Sequence, residues 1–261
     1  MPTLPKLPPI AGQPISLVLL HEGPSAPVPD ESPLVAAWRA YLTSQNLEHD
    51  VTVVAHPDGI GAALREGLAG ARHPLVCYAP LDASYPPEFL GLLLARQMTG
   101  EEAPPGPEID HVHIMSGFRA GRPVPLPLRL LGALWRGLLV VVLSYAPPRL
   151  PGWLGLRRHF GTWLAGFFFG VRYRDPACPF RLIRRDILAR IPIQSTSALA
   201  HVELIAKANF LGAMLSEEVP LPVDPGACSE STRRIFAEAR RLFQRPDFGP
   251  VVLPEPAHQS V

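Results

Sequence analysis

Ile15 to Leu20, ISLVLL, is a short continuous apolar run bounded by Pro14 and by the loop HEGPSAPVPD. A run of this length, with no polar alternation, reads as a strand buried on both faces, the kind found in a parallel sheet covered by helices. The chain after it alternates between the two periods. Ser32-Pro33 offers a helix start, with Ser as N-cap and Pro in the first helical position. Leu34, Val35, Trp38, Tyr41 and Leu42 then form an apolar stripe at helical spacing. Val51 to Ala55 predicts the next strand. Gly59 and Gly61 make a tight turn into a helix beginning near Ala62, and Leu75 to Tyr78 predicts a third strand. A helix with apolar Phe89, Leu90, Leu93 and Leu94 follows Pro86-Pro87, and His111 to Met115 alternates as a strand ending in SGFRAGR. Strands alternating with helices point to an α/β domain.

Length and charge bound what such a domain can do. With 261 residues and 47% hydrophobic content, the chain suffices for one large domain, or one domain plus an appendage, with a substantial core. Lys plus Arg number 24 against 23 Asp plus Glu, so no global basic field argues for nucleic acid. The 33 prolines, far above the usual share of about 5%, punctuate loops. Cys77, Cys178 and Cys228 have no metal-ligand spacing and make no even framework, which fits a reducing compartment, with Cys77 and Cys178 as packed thiols. MPTLPKLPPIAGQP lacks a continuous apolar core and does not read as a signal peptide. The best membrane-span candidate, Gly137 to Ala146, is about half the length a spanning helix needs.

The second half is apolar and rich in arginine. Leu126 to Gly170 reads as two amphipathic helices joined at Ala146 to Gly152, carrying Arg129, Arg136, Arg157 and Arg158 with Trp135, Trp153 and Trp163. The pair is either a buried hairpin over the sheet or an interfacial helix pair. Val171 to Arg185, VRYRDPACPFRLIRR, concentrates an Asp, a Cys and five arginines. Ala198 to Phe210 predicts a helix stopped by Gly212, with Glu203 and Lys207 as an i, i+4 surface pair. Met214 to Val219 closes the sheet. Ile235, Phe236, Ala239, Leu242 and Phe243 then line one side of a terminal helix, with Arg233, Arg234, Arg240 and Arg241 on the other, a membrane-surface anchor or a docking helix.

Several of these segments, in order, resemble one family. Asp175, Pro179-Phe180-Arg181-Leu182, Arg184-Arg185, IPIQS at Ile191 to Ser195, HVELIAKANFLG at His201 to Gly212 and EEVPLPV at Glu217 to Val223 look like the dolichyl-phosphate-mannose-synthase-like branch of family 2 glycosyltransferases. The resemblance implies a GT-A fold: a Rossmann-like mixed sheet flanked by helices, its site at the strand carboxyl ends. Asn46 to Asp50 is too short to hold the strand, the loop and the second helix that the family places before its Gly turn, so the sheet is expected to be reduced by about one βα unit. The domain is expected over residues 14–225, with 126–170 as the apolar helical insertion, 226–247 as the C-terminal amphipathic helix, and 1–13 and 248–261 as flexible tails.

The same resemblance implies roles for particular residues. Glu22, Gly59 and Gly61 fall where the family holds its nucleotide-sugar donor. Arg119, Arg122 and Arg181 fall on the acceptor-phosphate side, where a planar guanidinium suits a phosphate. Asp175 would line the acceptor pocket, positioning an oxygen that is already anionic. The family holds a divalent ion on two carboxylates one residue apart. Here the first position is Pro80 and only Asp82 remains, either as the ligand for Mg2+ or Mn2+ or as the cap of the helix that follows. The implied reaction moves a sugar from a nucleotide donor to a polyprenyl phosphate, on a cytoplasmic protein peripherally bound to a membrane surface. The alternative is a catalytically impaired relative that binds lipid phosphate or partners an active paralogue; self-association is left open.

Overall fold

The computed structural model describes residues 13–21, 32–99, 112–119, 134, 141, 166, 169–170, 173–221 and 232–249. Within them six strands form one sheet: β1 (Ile15–Leu20), β2 (His49–Val54), β3 (Leu75–Pro80), β4 (Val112–Arg119), β5 (Arg181–Arg184) and β6 (Met214–Leu221). Helices α1 (Pro33–Ser44), α2 (Ile60–Gly70), α3 (Glu88–Thr99), the short α4 (Arg185–Leu188), α5 (Leu199–Phe210) and α6 (Thr232–Gln244) surround it. The strand order is β2-β1-β3-β5-β4-β6. All neighbours pair parallel except β5, which runs antiparallel to both β3 and β4.

Strand alternation divides the core into two layers. Ile15, Leu17 and Leu19 with Leu75, Cys77 and Ala79 face α1 and α3, meeting Val35, Trp38, Leu42, Phe89, Leu90 and Leu93. Val18 and Leu20 with Val76 and Tyr78 face the other way, onto Ala63, Leu64 and Leu68 of α2 and Ala200, Leu204 and Ala208 of α5. ISLVLL is buried along its whole length, as an apolar run with no alternation requires. The α1 stripe buries Val35, Trp38 and Leu42 behind Pro33 in the first turn. Helix α5 stops at Phe210, with Gly212 at φ 74° in the left-handed region that ends helices.

Among the described residues only β2 lies beyond β1 at its edge of the sheet, in keeping with the short spacer at Asn46 to Asp50. The strand Arg181–Arg184, which apolar patterning does not mark, is central. Leu182 enters the first layer, Ile183 the second, and the arginines at its ends are buried too. Glu203 and Lys207, expected as a surface pair, are 0% and 3% exposed in their side chains and lie 2.7 Å apart. Glu203 also accepts the backbone N–H groups of Gln194 and Ser195, both at 2.8 Å, and Lys207 donates to Pro192 O. The correction has a physical reason: this pair supplies the polar partners that the backbone of the partly buried 192–195 loop needs. Cys77 and Cys178 are buried free thiols, and burial pushes Cys178 up to about 12, which suits packing and not nucleophilic chemistry.

Among the described residues no helix is long and apolar enough to cross a membrane. The hairpin expected over 126–170 lies mostly outside the described residues, as do the tails 1–12 and 250–261, the linker 222–231 and Cys228; Leu134 and Val141, both helical, are strongly exposed.

Candidate active site at the carboxyl edge of the sheet

The chain leaves β1 on one side, towards β2, and returns on the other, to β3. Loops diverge at such a switch point and open a crevice at the strand carboxyl ends. Leu81 N donates to Leu20 O at 2.8 Å, so β1 and β3 remain paired to their last residues and release their loops together. Tyr78, Arg181 and Ser116 lie in one row across β3, β5 and β4. Asp82 lies in the turn just after β3 and Arg119 is the last residue of β4, so both follow that row at the same edge.

Arg119 and Asp175 form the charged centre of this edge. Arg119 donates Nε–H to Asp175 Oδ2 at 2.7 Å and Nη2–H to Oδ1 at 2.9 Å. Its backbone N–H reaches Oδ2 at 3.2 Å. Burial works against the Arg119 charge, and the bonds and charge of Asp175 more than restore it, raising its pKa above the ordinary arginine value. Asp175, expected to face an acceptor, therefore spends both oxygens on Arg119 and is 2% exposed.

Asp175 is itself held from below. Its backbone N–H and that of Arg174 both donate to the Glu217 carboxylate, the former at 2.6 Å. Burial pushes Glu217 up to about 7, against the two N–H bonds that pull it down. Arg174 lays its guanidinium 4.9 Å from the Phe118 ring centre. Glu217 stands opposite Ser116 on β6, and only that register brings it to residue 175. Its motif drew attention in the sequence, but its partner did not.

Arg181, expected at the acceptor rim, is fully enclosed. It donates to Ser116 Oγ at 2.8 Å, to the Tyr78 hydroxyl, to His201 O at 2.8 Å and to Pro176 O at 2.5 Å. A guanidinium spent on four internal acceptors ties β3, β4, α5 and the 176 turn together, and it is not open to a phosphate. His201 stacks on Tyr78 with ring centres 5.6 Å apart. Burial, reinforced by Arg181 and Arg119, pushes its imidazole down to about 3, so it is neutral. The Tyr173 hydroxyl is buried and has no hydrogen-bond partner among the described residues.

Gly59 and Gly61, expected to hold the donor, meet the protein's own backbone. Gly61 N donates to Thr196 O at 2.9 Å. A Cβ on Gly61 would lie 2.5 Å from Ser195 O, and one on Gly59 would lie 2.6 Å from Thr196 O. Close approach of α2 to the 195–197 loop explains both glycines. Helix α6 covers the same junction: Glu238 accepts from Thr196 Oγ1 at 2.9 Å and Ser197 Oγ at 2.5 Å, and Arg234 donates to Asp58 O at 2.9 Å. Glu22 and Arg122 lie outside the described residues.

Asp82 is exposed, and its Oδ1 accepts Ser84 N–H at 2.8 Å, a local turn that caps the segment before α3. The described residues contain no group of three His, Cys, Asp or Glu side chains placed to hold a metal. One carboxylate fits a divalent cation only if diphosphate oxygens complete the shell, as magnesium readily accepts.

Comparison with solved structures decides the architecture. Glucosyl-3-phosphoglycerate synthase from Mycobacterium tuberculosis, in complex with Mn2+, UDP-glucose and phosphoglyceric acid, superposes with a TM-score of 0.52 at 16% identity, covering 91% of this chain and 82% of that one. The fold is GT-A. The same enzyme with Mg2+ and UDP matches at 0.50 and 18% identity, over 91% and 82% of the two chains. No family model matches the sequence, and no curated protein matches it either. The GT-A architecture accounts for the mixed sheet and its antiparallel β5; at these identities it speaks for the fold alone.

Proposed function

We propose that the chain is a glycosyltransferase that takes a sugar from a nucleotide donor and passes it to a phosphate-bearing acceptor held beside Arg119. The observation that carries the reading is the bidentate Arg119–Asp175 pair at the same sheet edge as Asp82, on a GT-A fold. Arg119 keeps further N–H donors beyond those given to Asp175, and a guanidinium fixed in this way is pre-organised for an anion. A phosphate oxygen needs little help from a base, so what these residues supply is position and charge. Asp82 would contribute the one protein carboxylate to a divalent ion arriving with the donor diphosphate, an ion that screens the leaving group when bound.

A polyprenyl phosphate is the acceptor suggested by the family 2 resemblance. The similar synthase was crystallised with phosphoglyceric acid, so a soluble phosphate ester is its direct competitor. A second reading rests on Pro80, which stands where the first metal carboxylate would be: a relative that binds phosphate without turning over.

Calorimetry with UDP-glucose and GDP-mannose in the presence of Mn2+, on wild type and Asp82→Ala, tests the donor side. Metal-dependent binding abolished by the substitution supports transfer, and assays with undecaprenyl phosphate and 3-phosphoglycerate then separate the acceptors. Absence of nucleotide binding by folded protein overturns the enzyme reading.

A further inference from the structure

Helix α6 carries two stripes with opposite duties. Ile235, Glu238, Ala239 and Leu242, at i, i+3, i+4 and i+7, turn towards the protein; Leu242 is buried, and Glu238 is bonded to Thr196 and Ser197. Arg233, Phe236, Arg240 and Phe243, at i, i+3, i+7 and i+10, form the opposite stripe, and all four are exposed. Phe236 is 62% and Phe243 56% exposed, among the largest apolar exposures of the described residues. Two turns separate them, about 10 Å along the axis, with Arg240 between. The helix's one acid is the inward Glu238, so nothing on the helix offsets Arg233, Arg240 and Arg241 on the solvent side.

We propose that this outward face of α6 is a docking surface for a lipid bilayer bearing anionic headgroups. Charge complementarity selects the partner: Arg233 and Arg240 flank Phe236, and Arg240 and Arg241 precede Phe243, which places cations at headgroup level while the rings enter the acyl boundary. A helix-binding protein groove takes contiguous apolar anchors at i, i+3, i+4 and i+7; here that apolar set faces inward, and the outward aromatics are separated by cations. Phe210, at the end of α5, is a further exposed aromatic, 59% exposed and edge-on to Phe248 at 5.8 Å. Docking of α6 through Glu238 and Leu242 keeps the stripe outward without a conformational change. The proposal does not depend on sugar transfer.

Vesicle co-sedimentation of the full chain tests it, with phosphatidylcholine liposomes alone or containing about 30% phosphatidylglycerol. The expected result is association with the anionic vesicles at least about tenfold stronger than with neutral ones, weakening as salt rises from about 0.05 to about 0.5 M. Phe236→Ser with Phe243→Ser, and separately Arg233→Glu with Arg240→Glu, should each reduce it about tenfold or more. Leu92→Ser, at an exposed apolar position on α3, should leave it unchanged, and circular dichroism establishes that every variant is folded. Vesicle binding that both double variants leave intact overturns the assignment. So does a lack of vesicle binding, including the case in which the protein instead self-associates through Phe236 and Phe243, which would make the face an interface between copies.

Discussion

Asp175 grips Arg119 with both carboxylate oxygens, at 2.7 Å to Nε and 2.9 Å to Nη2, and Asp175 is 2% exposed. Removing one member of a buried pair leaves the other charge without its counterion. Asp175→Asn keeps one acceptor and loses the charge, so it should cost about 2–4 kcal/mol in urea unfolding. A loss under about 1 kcal/mol would mean that water reaches the pair and that Arg119 is not held for an anion.

Glu217 links stability to pH through the same turn. Its folded pKa, about 7, lies above the ordinary 4.5, so folding favours the protonated form. Its contribution to stability is fully present below about 4.5 and is lost as pH rises through about 7. Melting temperatures should therefore fall between pH 6.5 and 7.5 in the wild type, and Glu217→Gln should flatten that slope. Below pH 6.5 His201, depressed to about 3, acts with the opposite sign, losing stability as pH falls. A wild-type profile that rises through neutrality would contradict the assignment.

Two glycines of one helix should respond in opposite directions. A methyl on Gly61 would meet Ser195 O and Ser197 O at 2.5 and 2.7 Å, and backbone oxygens cannot swing aside. Gly61→Ala should cost about 1–3 kcal/mol. Gly70, the last residue of α2, has nothing within 4 Å of its Cβ position, so Gly70→Ala should gain about 0.5 kcal/mol. Denaturant midpoints for the pair give the comparison directly.

Lys207→Met strands the Glu203 carboxylate, 0% exposed, and should cost about 3 kcal/mol. Adding Glu203→Gln, which keeps an acceptor for the 194–195 amides, should recover part of that loss, with a coupling energy of about 1–3 kcal/mol in a double-mutant cycle. Strict additivity would show that the two charges do not sense each other.

Local rules found most of the scaffold. ISLVLL, the Val35–Trp38–Leu42 stripe and the Gly212 stop each carry their meaning within a few residues, and the structure places them where those rules put them. What local rules missed was set by register between distant segments. Arg181–Arg184 is a central strand with a cation at each end, and nothing in its own four residues marks it as such. Arg181 has the composition of a phosphate contact and the position of a structural pin, a distinction made by Tyr78, Ser116 and His201 from three other elements. Glu217 reaches Asp175 because β6 pairs with β4, a relation between residues 42 positions apart. Arg119 and Asp175 are each marked in the sequence, but nothing local to either pairs them across 56 positions.

The placement of β5 sets an order of assembly. β1, β2 and β3 can pair among themselves from about 66 consecutive residues, Ile15 to Pro80. Among the described strands, β4 is bonded to that half only through Arg181–Arg184, which arrives after a further hundred residues have been made. On the ribosome the N-terminal half should form first and wait with the side of β3 that β5 will cover still unpaired, an edge open to strangers. A nascent chain of this design needs that edge shielded until its last third emerges, and truncations ending before Arg181 should aggregate where the full chain does not.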